Sequence, residues 1–151
     1  ALVAGHPQCW GRSTPLLGMS PVGLSPCLRE ACTSTPTEFD LGATMLEGLS
    51  GDPFGDSVIG WGSDGVAYGW GSSYGGVLAG SVLYQPAFLT ALRGQTTHHV
   101  EIGDSTACAI LDVDRQLVCW GLNDAGQLGR GTVQAVDVGE ATRRFAEPPC
   151  W

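Results

Sequence analysis

Cys108 to Gly131 reads CAILDVDRQLVCWGLNDAGQLGRG. Two apolar runs flank a short acidic turn, and a glycine-studded segment follows. Leu117-Val118-Cys119-Trp120 favours an extended strand, because β-branched and aromatic side chains fit a half-buried pleated surface. The pattern recurs. Gly60 to Ser81 reads GWGSDGVAYGWGSSYGGVLAGS, and the chain opens with part of a third copy, ALVAGHPQCWGRSTPLLG. The Trp-Gly pairs fall at Trp10-Gly11, Trp70-Gly71 and Trp120-Gly121, spaced 60 and 50 residues apart. A period of that size marks blades, solenoids or arrays. Ser63-Asp64-Gly65 and Asp112-Val113-Asp114 carry the turn chemistry of hairpins. Tryptophan can bury roughly 200 Å² and anchor a sheet, and a following glycine lets a neighbouring backbone come close. No long amphipathic helix is marked; the best candidate, 43–49, is too short.

Val100 to Gly131 resembles a repeat of the regulator of chromosome condensation family. Gly103, Cys108-Ala109-Ile110, Trp120-Gly121 and Gly126-Gln127-Leu128-Gly129 stand at the places of that family's signature. In Gly55 to Ser81 the last element is replaced by Gly75-Gly76-Val77-Leu78, and at the N-terminus the match is partial. The resemblance covers about two thirds of the chain. It implies an all-β fold of propeller-type blades, each a four-stranded antiparallel sheet, about three in number. Trp10, Trp61, Trp70, Trp120 and Trp151 are then blade-core residues. Binding roles in the family sit on loops that vary, so no functional residue carries over. Residues 1–18 are expected to be the second half of a blade. Residues 19–54 are a spacer with a Cys27/Cys32 loop and the start of the next blade. Residues 55–99 form the second blade's core and connection, 100–135 the third blade, and 136–151 the first half of a further one.

Of 151 residues, 23 are glycine, as many tight turns require. The length suffices for one domain with a real core. Net charge is −8, and all seven basic residues are arginine. A nucleic-acid surface needs a basic face, and so does adhesion to anionic lipid. Neither partner is expected, and no apolar run approaches the ~20 residues of a membrane helix. No initiator Met or signal peptide opens the chain, which reads as processed or excerpted.

Six cysteines, an even number, point to disulfides and an oxidising compartment. Cys108 and Cys119 would face each other across one hairpin. In the copy at Gly60 their counterparts are Gly60 and Gly69, both cysteines absent together. Cys27 and Cys32 could close a small loop. Buried free thiols or a zinc site are the alternatives, although a lone Cys-x4-Cys is a weak zinc signal. Cys9 pairs best with Cys150. If the C-terminus is placed ahead of the N-terminus, Cys150 lies ten residues before Cys9, and Trp151 falls where Trp61 falls. Val136-Asp137-Val138-Gly139 also resembles Val100-Glu101-Ile102-Gly103, a blade start. The ends could close within one chain, join head-to-tail between units, or be cuts from a longer tandem array; chance also remains open. Donating a strand to a neighbour would cover an exposed sheet edge.

Other motifs carry little chemistry. Gly60 to Gly65 fits G-x-G-x-x-G, but a strand follows where phosphate binding needs a helix. Gly71 to Gly75 fits G-x-S-x-G, but it aligns with the turn Gly121 to Ala125 rather than a hydrolase elbow. His98-His99 precedes a strand, where neighbours point to opposite faces, and reads as a solvated pair. Asp52, Asp56, Asp64, Asp112 and Asp114 read as turn residues rather than calcium ligands. Ser13, Thr14, Thr33, Ser34, Thr35 and Thr37 flank prolines and are O-glycosylation candidates. No catalytic, cofactor or metal site is expected. The expected function is an extracellular or cell-surface structural module, a repeat unit of a filament or appendage joined head-to-tail to like units. The alternative is a secreted propeller that binds other extracellular proteins or glycans through its loops.

Overall fold

The computed structural model describes residues 1–12, 25–27, 30–38, 41–42, 44–53, 57–72, 75–78, 82–89, 92, 94–113 and 115–142, with backbone alone at 12, 25–27, 30–32, 82–84 and 134–142. The described residues form three four-stranded antiparallel sheets and no α-helix. The first holds β1 (Leu2–Val3), β2 (His6–Arg12), β3 (Ser25–Cys27) and β4 (Glu30–Glu38), in the order β1-β2-β4-β3. The second runs β5 (Leu46–Gly51), β6 (Ser57–Gly62), β7 (Ala67–Ser72), β8 (Val82–Phe88), neighbours in sequence lying side by side. The third does the same with β9 (Thr97–Gly103), β10 (Thr106–Leu111), β11 (Leu117–Asn123) and β12 (Gln134–Thr142).

The central hairpins form where the turn chemistry lies. Between β6 and β7, the Gly62 amide donates to the Val66 carbonyl at 2.9 Å and the Asp64 carboxylate accepts the Val66 amide at 3.0 Å. Asp64 is thus an Asx turn. Between β10 and β11, the Leu111 amide donates to the Gln116 carbonyl at 2.8 Å. Register corrects one correspondence. Trp70 faces Val58 and Trp120 faces Ala107, so Cys108 and Cys119 match Ile59 and Gly69. Gly60 lies one residue further along, opposite Tyr68. The two turns differ by one residue, which shifts the count made from sequence.

The fourth strand bulges opposite tryptophan in each sheet. Cys9 and Gly11 pair with Thr37 and Thr33, Gly69 and Gly71 with Ala87 and Leu83, and Cys119 and Gly121 with Thr142 and Asp137. Pro36 and Pro86 sit one residue from Thr37 and Ala87, inside the bulges. A residue without an amide proton is tolerated there because the ladder is already interrupted.

The strand limits move several expected boundaries. β3 and β4 belong to the first sheet, so 19–54 is not a spacer between blades. β5 opens the second sheet at Leu46, within the segment considered as a short helix. Val136 to Gly139 lies in β12, hydrogen-bonded to β11 as the outer strand of the third sheet. It does not start a further blade. The two edge strands of the sheet share the same alternation of apolar and polar residues, so β12 mimics β9 in sequence. Residues 143–151 lie outside the described residues, Cys150 and Trp151 with them.

Two apolar clusters cement the stack. One combines Ile59, Trp61 and Val77 of the second sheet region with Val100, Ala107 and Trp120 of the third. The other gathers Leu46, Tyr68 and Trp70, with Leu2 and Cys9 of the first sheet against them. β10 shows the resulting alternation: Ala107, Ala109 and Leu111 are buried, and Thr106, Cys108 and Ile110 are half-buried.

Candidate interaction surface

The Trp-Gly pair has the same backbone in all three sheets. Gly11, Gly71 and Gly121 have φ of +116°, +110° and +111°. That is a conformation L side chains rarely adopt, so the three pairs are structural equivalents and not only sequence echoes. Their surroundings differ. Trp120 and Trp70 are 0% and 1% exposed, whereas Trp10 is 51% exposed. Trp10, expected in a blade core, therefore lies on an open face.

The seam between the second and third sheets shows what a covered tryptophan requires. The Trp120 indole N–H donates to the Val77 carbonyl at 2.8 Å. Val77 is seven residues after Trp70, in the turn that follows the second Trp-Gly pair. A Cβ placed on Gly121 would come 2.5 Å from the Ser105 carbonyl oxygen and 3.1 Å from the Val77 side chain. The turn, the β9–β10 connection and the Trp-Gly strand are thus in close contact, which only glycine permits. Around Gly11 the same test meets nothing within 4 Å.

Polar contacts fasten the same seam nearer β5 and β9. Ser50 donates to Glu101 at 2.7 Å and accepts the Ile102 amide at 3.0 Å. Asp52 lies 3.4 Å from the Ser105 amide. The Ser50 hydroxyl foremost, with help from His99, holds the Glu101 carboxyl below the usual glutamate range against the opposing effect of burial. His99 bonds Glu101 at 2.9 Å, and its ring meets Trp61 edge-on with centroids 4.7 Å apart. His98 is exposed. The expected solvated pair is therefore one solvated histidine and one seam histidine; Trp61, far away in sequence, gave no sign of that contact.

Cys108 and Cys119 form a disulfide across β10 and β11, as expected. Cys9 is half-buried and packs toward the second sheet, and burial pushes its thiol up. Cys150, and the side chains of Cys27 and Cys32, lie outside the described residues, as do Ser13 and Thr14. Thr33, Ser34, Thr35 and Thr37 are on strand β4 rather than in a loop. The Thr33 and Thr37 hydroxyls lie 2.9 Å apart and both reach the Thr35 carbonyl. Ser34 and Thr35 are exposed in the bulge between them. Among the aspartates, Asp56 and Asp114 lie outside the described residues, and no group of three metal-ligating side chains gathers among those described. No helix there is long and apolar enough to cross a membrane. Ser73, the serine of G-x-S-x-G, is outside the described residues.

A groove of about 450 Å³ lies beside the same seam, lined by Val66, Phe88, Leu89, Leu92 and Thr96. Phe88 is largely exposed at its rim, as is Val113 on an adjoining hollow.

Residues 98–127 match the regulator of chromosome condensation (RCC1) repeat. Human WBSCR16 superposes with a TM-score of 0.70 at 19% identity, over 91% of this chain and 33% of its own. Yeast RCC1 (Prp20), solved bound to Kap60, gives 0.65 at 19% identity, over 95% of this chain and 32% of its own. Prp20p from Saccharomyces cerevisiae, whose structure was described together with its binding to Gsp1p and histones, gives 0.69 at 21% identity, over 96% and 33%. The chain spans about a third of the length of these structures. No curated protein matches it in sequence. The chain carries the regulator of chromosome condensation repeat, and its sheets are blades of the β-propeller type that this repeat builds.

Proposed function

We propose that the chain is a non-catalytic assembly module that works outside the cell, its blade faces packing against like units in a filament, appendage or surface array. The observation that carries this is the 51% exposure of Trp10 at a position buried in the other two sheets. Large exposed apolar side chains mark interaction sites. The Cys108–Cys119 bridge supports an oxidising compartment, and the net charge of −8 disfavours a nucleic-acid partner. Among the described candidates, exposed Ser34 and Thr35 are hydroxyls available for O-linked sugar.

The groove beside Phe88 favours a second reading, a secreted module that holds a partner protein at its loops. Size-exclusion chromatography and negative-stain images of native material separate the two. Filaments or rings of regular repeat support assembly; discrete single particles favour partner binding.

A further inference from the structure

The groove of about 450 Å³ beside Phe88 and a hollow of about 320 Å³ beside Val113 share one wall, the segment Gly94-Gln95-Thr96. That segment is a ridge with an apolar hollow on either side. Both neighbouring hairpin turns pin it. The Thr97 amide donates to the Gly65 carbonyl at 2.8 Å, and the Asp112 amide donates to the Thr96 carbonyl at 3.1 Å. The floor is fixed as well: Leu89 and Leu92 are buried, and the Leu89 amide donates to the Ala67 carbonyl at 3.0 Å. The ridge itself keeps polar groups open. The Gln95 carboxamide and carbonyl and the Thr96 amide have no hydrogen-bond partner among the described residues. Phe88 and Val113, 66% and 70% exposed, stand at the rims.

Each hollow has a carboxylate beside it. Asp64 accepts the amide of Val66, which lines the larger one. Asp112 stands between Leu111 and Val113 of the smaller one, and a Cβ placed on Gly65 would come 2.8 Å from its carboxylate. Both aspartates are exposed, and neither makes an ion pair among the described residues. Arg115 is the other described charge on these turns; Arg93 and Asp114 lie outside the described residues.

We propose that the two hollows take an extended segment of a partner protein, two apolar side chains separated by one residue, with a basic residue next to each. Alternate side chains of an extended chain point to the same side, so two of them straddle the ridge. The backbone between them meets the open groups of Gln95 and Thr96, as in recognition by strand pairing. Positive charge on the partner complements Asp64 and Asp112. The inference rests on the second reading, a module that holds a partner protein at its loops, and gives that partner's chemistry. The site lies wholly within the second and third sheets.

The test is photo-labelling of the 151-residue chain by the acetylated peptide amide Gly-Leu-Lys-Leu-Lys-Gly, with photoleucine at its first leucine. Expected adducts map to segments 88–96 and 111–116. The unlabelled parent peptide should compete about tenfold better than its Leu→Ser or its Lys→Glu counterpart, as expected when apolar burial or charge pairing is lost. Phe88→Ser and Val113→Ser, at exposed side chains, should each cut labelling with circular dichroism unchanged. Asp112→Asn should narrow the gap between the lysine and glutamate peptides. A labelled groove at which the glutamate peptide competes equally overturns the basic chemistry and leaves the groove a partner-holding site. Adducts elsewhere, labelling indifferent to both serine variants, or equal competition by the Leu→Ser peptide overturn the site and the second reading together.

Discussion

Trp10 and Trp120 occupy equivalent places on their strands, so truncating each measures what covers it. Trp120 is fully buried with its indole bonded, and Trp120→Ala is expected to cost about 3–5 kcal/mol, as for other buried aromatic truncations. Trp10→Ala should cost under about 1 kcal/mol in dilute solution, where nothing covers it. Urea denaturation at low protein concentration checks both; equal losses would contradict the equivalence with different cover. The glycines after them offer a sharper contrast. Both have φ near +110°, so alanine at either carries the same backbone strain of about 1–3 kcal/mol. At Gly121 the Cβ also collides with the Ser105 carbonyl, and at Gly11 it meets open space. Gly121→Ala should therefore lower the denaturation midpoint further than Gly11→Ala, and the difference is the close packing of Gly121 on the β9–β10 connection of its own sheet and on Val77 of the second.

Among the elements, the β10–β11 hairpin is held covalently. Its disulfide spans 11 residues, and closing a loop of that size stabilises by about 2–3 kcal/mol through the unfolded chain. Replacing Cys108 and Cys119 together by serine is expected to lose that amount, read by denaturation under non-reducing conditions. The β5–β9 contact is held by charge-assisted hydrogen bonding and is sensitive to acid. Glu101 has its pKa lowered in the folded chain, first by Ser50. Its contribution is complete above the ordinary glutamate range and is lost as pH falls through the depressed folded value. Glu101→Gln should thus be less stable than the parent at neutral pH and converge with it in acid. The gap should stay under about 1 kcal/mol, because the side chain is mostly exposed and screened. Parallel denaturation curves from neutral pH downward check this, and a gap that widens in acid would contradict it. The Trp-Gly pairs made the central strands legible from sequence, because one rare backbone conformation demands one residue pair each time. Register across the hairpin was not legible: a one-residue difference in turn length moved Gly60 off the place Ile59 fills. The fourth strands were hidden for a related reason. Pro36 and the Ser/Thr run around it look like a loop until the bulge opposite Trp10 accommodates them, and β12 carries the same alternation as β9, the opposite edge strand.

For the whole molecule, the sequence period already announced stacked sheets, and the seam explains why they stack. The third sheet buries one face on the second through Trp120, whose indole bonds the turn that follows Trp70. Trp10 of the first sheet is half-exposed, and Gln127 in the turn after Trp120 is exposed. The proposed assembly packs such faces against like units. Sedimentation velocity of the 151-residue chain across a wide concentration range, under non-reducing conditions and alongside Trp10→Ala, tests this most directly. The expected result is growth through multiples of the monomer as concentration rises, with the variant requiring at least tenfold more protein to reach the same size. A single monomeric species at every concentration, or parent and variant growing alike, would contradict it.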